Sequence, residues 1–170
     1  FRFGLITLLA SCIATIAYSQ ATATIVKDIA TDWRSSNPSF LTLYNNELYF
    51  SAENTSYGRE LWKTDGTDAG TVLVKDINPG DDDSDPEWLT VSNGYLYFSA
   101  NDGINGSELW RTDGTENGTQ LVKDIHPGNG NSYPKALAEF NGSLYFSVTS
   151  SSIPITFHGL WKSDGTEART

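Results

Sequence analysis

Apolar and aromatic residues are grouped in short runs that turn-forming residues separate. Between residues 87 and 125 these runs are EWLTVSN, GYLYFSA, SELWRTDG and TQLVKDI. β-branched and aromatic residues dominate the runs, whereas Gly, Asn, Asp, Ser and Pro fill the gaps. The pattern predicts four short β-strands in this stretch and no helix.

The turn residues predict how these strands are connected. Asn93-Gly94 separates the first two runs, and it favours a type I′ hairpin because both residues tolerate positive φ. Asn141-Gly142 repeats this signal, and Asn45-Asn46 is a weaker version of it. A DGT turn joins the third run to the fourth, where Asp accepts backbone hydrogen bonds and Gly supplies the left-handed position. We therefore expect four antiparallel strands in each group.

The groups of four runs repeat along the chain. VKDI begins at residues 26, 74 and 122, and LYFS begins at residues 48, 96 and 144, so each recurs every 48 residues. ELW begins at residues 60 and 108, and its third copy, GLW at 159, is displaced by three residues in the loop SSSIPITFH. Fixed-period repetition is the signature of a repeat architecture.

Large side chains alternate onto both faces of the predicted sheets, so a single sheet could not bury either face alone. Four short antiparallel strands per 48 residues is the size of a propeller blade, close to a kelch repeat. We predict an all-β, partial β-propeller of about three four-stranded blades. An open β-solenoid or a string of small sandwiches is the alternative.

The N-terminal residues 1–19 are predicted to be a signal peptide. Arg2 precedes an uncharged apolar run at 3–18 that is too short for a membrane span, and Ala17-Tyr18-Ser19 offers the small residues that signal peptidase reads. The rival interpretation is a lipobox at 9–12, in which Cys12 would be lipidated. Either way we expect a secreted or cell-surface protein whose repeats occupy 20–170.

Composition excludes several roles. Asp and Glu outnumber Lys and Arg by 21 to 11, and the net charge of −10 argues against binding to nucleic acid or anionic membranes. Cys12 is the single cysteine, so residues 20–170 have no disulfide framework and no thiolate metal site. The chain has no methionine and stops within the unit WKSDGTEART, so we expect a fragment truncated at both ends.

The strings ELWKTDGTDAGT and ELWRTDGTENGT, with LVKDINPG and LVKDIHPG beside them, resemble the family of bacterial exported proteins known by its ELWxxDGT repeat. The resemblance covers about residues 22–170, and it implies kelch-like propeller repeats within large secreted or surface proteins. It implies no established activity and no catalytic residues. The first unit lacks ELW before its VKDI, and the last departs from the pattern at Gly159 and Arg169.

The recurring motif residues are predicted to be structural. Trp62, Trp110 and Trp161 recur once per unit, which favours packing between units over an aromatic platform for sugars or peptides. The DGT residues are predicted to form turns, although the aspartates could alternatively serve as metal ligands or bases. The turn residues are Asp65, Gly66, Asp113, Gly114, Asp164 and Gly165.

One loop offers a candidate calcium site. Asp81, Asp83 and Asp85 have the DxDxD spacing in which alternate carboxylates converge on a hard cation. Pro86 stands where such loops turn on glycine, and Ser92 stands where a glutamate closes them. A solvated acidic loop is the alternative, and calcium is the one cofactor that the sequence suggests.

Other catalytic motifs are not recognisable. His126 and His158 lack the HExxH spacing of a zinc site, and the SxxK match at Ser132 falls in a loop that conforms to the repeat. We therefore expect a binding or scaffolding module of adhesion type, without catalysis, whose partner is an extracellular glycan or protein. The alternatives are the propeller portion of a larger secreted enzyme and a purely architectural array.

Function is expected in the loops that vary between units, because a rigid scaffold positions such loops. These loops are Asp81–Asp85, Gly128–Tyr133 and Thr149–His158. Three units are fewer than the four to eight blades of closed propellers. We therefore expect the chain alone to be marginally stable or oligomeric, with further blades of the same full-length chain as its natural neighbours.

Overall fold

The computed structural model describes residues 23–30, 32–149 and 158–170. Eleven strands and one 3-10 helix, Glu167–Arg169, lie in these ranges. The strands are β1 (Ser39–Tyr44), β2 (Glu47–Asn54), β3 (Gly58–Thr64), β4 (Val72–Lys75), β5 (Glu87–Ser92), β6 (Tyr95–Asn101), β7 (Ser107–Thr112), β8 (Gln120–Lys123), β9 (Lys135–Phe140), β10 (Ser143–Thr149) and β11 (His158–Ser163).

The strands form three antiparallel sheets in sequence order. Sheet A is β1-β2-β3-β4, sheet B is β5-β6-β7-β8, and sheet C is β9-β10-β11. The prediction of an all-β, propeller-like array is confirmed. Sheet C differs from the prediction of four strands, because in this sequence its DGT turn is followed only by the 3-10 helix and Thr170. The predicted signal peptide, Cys12 and residues 150–157 lie outside the described residues.

The three sheets share one register. Leu48 lies opposite Thr64 in sheet A, Leu96 opposite Thr112 in sheet B, and Leu144 opposite Ser163 in sheet C. Both residues of each predicted Asn hairpin have positive φ, as a type I′ turn requires. The values run from 49° at Asn45, Asn93 and Asn141 to 76° at Gly94.

The first strand of every sheet contains a bulge. Pairing shifts register between Ser39 and Thr42 in sheet A, and equivalent shifts occur in sheets B and C. The residue in the bulge is left-handed in each case, with φ of 56° at Phe40, 60° at Trp88 and 52° at Ala136. A bulge bends its strand and redirects a side chain, and bulges are common next to functional sites.

Apolar side chains fill the spaces between successive sheets. Tyr49 and Leu61 of sheet A form one buried cluster with Leu96, Phe98 and Trp110 of sheet B. Tyr97 and Leu109 of sheet B form the next cluster with Leu144, Phe146 and Val148 of sheet C. Burying one such side chain contributes about 1.5–3 kcal/mol. The core is therefore a series of equivalent layers between the sheets.

Polar contacts between sheets repeat in the same way. Thr42 Oγ1 donates to the Leu89 carbonyl at 3.3 Å, and Thr90 Oγ1 donates to the Leu137 carbonyl at 3.2 Å. Lys75 Nζ reaches the Thr119 carbonyl in the DGT turn of the following sheet, at 2.9 Å. In the described ranges no helix is long and apolar enough to cross a membrane.

Candidate functional site

The motif tryptophans lie in or beside the layers between sheets. Trp62 is buried with Ile29 and Phe50, and Trp110 is buried in the layer between sheets A and B. Trp161 is partly buried and packs against the cluster between sheets B and C, where its ring centroid lies 6.4 Å from that of Phe146. These rings therefore support the stack of sheets and offer no open platform.

The DGT aspartates cap their own turns. Asp65 Oδ1 accepts hydrogen bonds from the Thr67 backbone N–H at 2.9 Å and from Thr67 Oγ1 at 2.7 Å. Asp113 and Asp164 make the same two contacts with the threonine two residues on. These hydrogen bonds lower the pKa of all three carboxyls, because they stabilise the charged form.

The DGT glycines have φ of 92° to 96°, and two of them are also approached closely by the preceding sheet. A Cβ on Gly114 would overlap the hydroxyl of Tyr49, and a Cβ on Gly165 would overlap the hydroxyl of Tyr97. Glycine is needed there for both conformation and space. Gly66 in sheet A has the same φ but nothing within 4 Å of its Cβ position.

A buried carboxyl organises each of the first two junctions between sheets. Glu60, the first residue of ELW, is fully buried and accepts hydrogen bonds from the backbone N–H groups of Ile77 and Asn78, both at 3.1 Å. Ser84 Oγ donates to Glu60 Oε2 at 2.6 Å. Glu108 binds the corresponding loop of sheet B through Ile125 and Ser132.

Burial raises the pKa of Glu60 and of Glu108 to about 7, although their hydrogen bonds act in the opposite direction. Each carboxyl faces a serine hydroxyl that has a second acceptor nearby. Ser84 Oγ lies 3.3 Å from the Arg59 carbonyl, and Ser132 Oγ lies 3.3 Å from the Ser107 carbonyl. The serine can therefore rotate its proton to that carbonyl and accept one from a neutral glutamic acid.

The acidic loop does not gather its carboxylates. Asp83 Oδ1 accepts a hydrogen bond from the Arg59 backbone N–H at 2.6 Å, and Asp85 lies 3.9 Å from Arg59 Nε. Among the described residues, no group of three or more His, Cys, Asp or Glu side chains is arranged to hold a metal ion. Calcium binding at Asp81, Asp83 and Asp85 stays a prediction.

Two polar clefts lie where successive sheets meet. The first cleft, of about 310 Å³, lies between sheets A and B, and its lining includes Asn37, Phe40, Arg59, Asp85 and Glu87. The second cleft, of about 300 Å³, lies between sheets B and C. Its lining includes Asp85, Glu87, Ser107, Tyr133 and Lys135. The carboxylates of residues 85 and 87 line both clefts.

The two clefts occupy the same place in the repeat but differ in chemistry. Moving 48 residues along the chain from the first cleft replaces Arg59 with Ser107 and Glu87 with Lys135. The buried framework is unchanged over the same step, since Glu60 becomes Glu108. One backbone geometry therefore presents two different sets of polar groups.

The cleft rims carry strained backbone and exposed aromatic rings. Asp85 and Tyr133 each precede a proline and have φ of 47° and 46°, a conformation that non-glycine residues seldom adopt. Phe40 and Trp88 are both partly exposed, with ring centroids 6.4 Å apart. Strain of this kind, of about 1–3 kcal/mol per residue, is typical of binding and catalytic sites.

The chain matches no protein-family model, no curated protein and no solved structure.

Sequence reasoning placed function in loops, and two of the three variable loops contribute to the clefts, through Asp85 and Tyr133. It missed the buried Glu60 and Glu108, although their recurrence in ELW was a usable signal. It also missed Phe40 and Trp88, because nothing in a run of apolar residues indicates a left-handed bulge. The third variable loop lies largely outside the described residues.

Proposed function

We propose that the chain is a non-catalytic binding and scaffolding module of a secreted or cell-surface protein, built from ELWxxDGT-type repeats. The carrying observation is that the two clefts share one backbone and differ in their side chains. A rigid framework with variable groups at equivalent positions is the usual basis of a recognition surface.

The partner that we propose is an uncharged extracellular glycan. Phe40, Trp88 and Tyr133 expose part of their rings beside polar groups that donate and accept hydrogen bonds. Such a mixture suits a ligand with alternating apolar faces and hydroxyl groups. The net charge of −10 disfavours an anionic polymer.

A glycan array followed by calorimetry tests this proposal. We expect the chain to bind a neutral glycan and the double variant Phe40→Ala/Trp88→Ala to bind it about tenfold more weakly, a loss of about 1.4 kcal/mol. Alanine is compatible with the bulge, because Ala136 occupies the equivalent position in sheet C with φ of 52°.

Trp33→Ala is the matched control, since Trp33 is exposed and lies outside both clefts. It should leave the affinity unchanged. Absence of binding to every neutral glycan would overturn the proposed partner, and equal loss in the control would show that the clefts are not the site.

A further inference from the structure

The stack of sheets has two unlike ends. We call the outer surface of sheet A around Leu41, Leu48 and Phe50 the head face. We call the outer surface of sheet C around Tyr145 and Leu160 the tail face. Inside the stack, a surface like the tail face packs against a surface like the head face twice, once between sheets A and B and once between sheets B and C.

The head face has the side chains of an internal layer without the burial. Leu41 is 59% exposed, whereas Leu89, its equivalent in sheet B, is 9% exposed because sheet A covers it. A depression of about 230 Å³ beside Leu41 is lined mainly by apolar groups, including Val26, Pro38 and Phe50. The face therefore has the form of a receiving surface.

The tail face shows the complementary difference. Leu160 is 78% exposed, whereas Leu61 and Leu109, which hold the same place in sheets A and B, are fully buried under the next sheet. Tyr145 corresponds to Tyr49 and Tyr97, both of which are buried. The two apolar residues that insert into the following sheet are thus present but uncovered on sheet C.

The space above Gly66 shows where an incoming tyrosine would lie. Tyr49 lies against Gly114 and Tyr97 against Gly165, each from the preceding sheet. Gly66 has nothing within 4 Å of its Cβ position. A tail face docked on sheet A in the same way would place Tyr145 over Gly66.

The segment 24–29 supplies a second, independent match. Its sequence TIVKDI aligns with VLVKDI at 72–77, which contains β4, the fourth strand of sheet A. Ile29 is buried against Phe50, and Lys27 Nζ donates to the Asp68 carbonyl at 3.1 Å, much as Lys75 contacts the following DGT turn. The segment is therefore already seated on sheet A as the fourth strand of a preceding sheet.

Sheet C lacks such a strand in the described residues, because β11 pairs only with β10. Ile25 and Val26 are exposed, although Val74 and Val122, the equivalents of Val26, are buried. Each end of the stack therefore has what the other end lacks: three strands with no fourth, and a fourth strand with no third.

We propose that two copies of this chain associate head to tail, with the tail face of one copy docked on the head face of the other. In this arrangement residues 24–29 of the second copy complete sheet C of the first as its fourth strand. Such an interface is heterologous, since the two surfaces differ. Two copies supply six units, within the four to eight of closed propellers.

Sedimentation of the full chain at several concentrations tests this association. We expect a concentration-dependent rise in mass that salt strengthens, because the surfaces that meet are apolar while each copy carries a charge of −10. Leu160→Glu should block the tail face and Leu41→Glu the head face, so each variant alone should remain monomeric. Both residues are exposed, so neither substitution disturbs an internal layer.

Mixing the two variants gives the decisive result. The Leu41→Glu chain keeps an intact tail face and the Leu160→Glu chain keeps an intact head face, so an equimolar mixture should form a heterodimer. An isologous interface that used one face only would be lost in one variant, kept in the other and not restored by mixing. That pattern would overturn the head-to-tail arrangement.

Ile104→Glu is the matched control, because Ile104 is 73% exposed on a loop of sheet B that belongs to neither end. It should associate like the unmodified chain. A monomeric mass at every concentration would overturn the proposal and would indicate that residues 1–22 or solvent cover the faces. Association unaffected by all three substitutions would also overturn it.

Discussion

Sheets B and C show how much the neighbours of a sheet decide. Their first three strands share hairpin turns and register, and LYFS stands at residues 96–99 with its close equivalent LYFS at 144–147. Sheet B is covered on both faces and buries Tyr97 and Leu109, whereas sheet C is covered on one face and leaves Leu160 exposed. The burial of a repeated residue is therefore a property of its place in the stack.

The two sheets also differ in the buried carboxyl. Glu108 holds the loop after β8 through its hydrogen bonds to Ile125 and Ser132. Sheet C has Gly159 at that position, which has no side chain to organise a following loop. Inner junctions are thus tied by a carboxyl that the terminal sheet lacks.

The largest expected effect comes from truncating the repeated leucine. Leu109→Ala should lower the free energy of unfolding by about 2–5 kcal/mol, because it leaves a cavity in the layer between sheets B and C. Leu160→Ala should change it by less than about 0.5 kcal/mol at low protein concentration, since the side chain is exposed. Urea denaturation measures both values, and similar losses would contradict the comparison.

An intermediate effect is expected from pH. Folding raises the pKa of Glu60 and Glu108 from 4.5 to about 7, so the folded chain binds more protons than the unfolded chain between these values. The free energy of unfolding should therefore rise as the pH falls from 8 to 5. One pKa unit corresponds to about 1.4 kcal/mol, so the total rise is a few kcal/mol.

The double variant Glu60→Gln/Glu108→Gln should flatten this slope, because an amide does not titrate. The measured quantity is the slope of the free energy of unfolding against pH, which does not depend on the stability that the variant starts from. Glu116→Gln is the control, since Glu116 is exposed in a turn. The turn aspartates have lowered pKa values and titrate below this window. An unchanged slope in the double variant would refute the assignment.

The smallest effect concerns a contact that only one junction has. Tyr44 Oη donates to the Gly94 carbonyl at 2.7 Å and links sheet A to a turn of sheet B. The residue 48 positions later is Ser92, which makes no such bond. Tyr44→Phe should lower the melting temperature through the loss of about 1 kcal/mol, whereas Tyr57→Phe, at an exposed site, should leave it unchanged.

The strand order and the turns were predictable because local chemistry specifies them. Asn93-Gly94 adopts positive φ at both residues, and Asp113 accepts the turn hydrogen bonds that its residue type favours. Repetition then extended one interpreted unit to the others. These signals are short in range, and the context of neighbouring sheets does not override them.

The clefts and the buried carboxyls were harder to predict, because they depend on contacts between units. Glu60 is charged, and such residues are seldom buried unless partners satisfy them. Its partners are 17 to 24 residues away, at Ile77, Asn78 and Ser84. The left-handed Trp88 conflicts with the preference of a bulky residue, so only the folded sheet reveals it.

The constant spacing of the contacts between sheets has a mechanical consequence. Thr42 reaches Leu89 and Thr90 reaches Leu137, in both cases 47 residues further on, so these bonds never skip a unit. Whole units could be duplicated or deleted without creating a new kind of junction. A chain pulled from both ends should then break sheet by sheet, in even steps of about 160 Å at ~3.4 Å per extended residue.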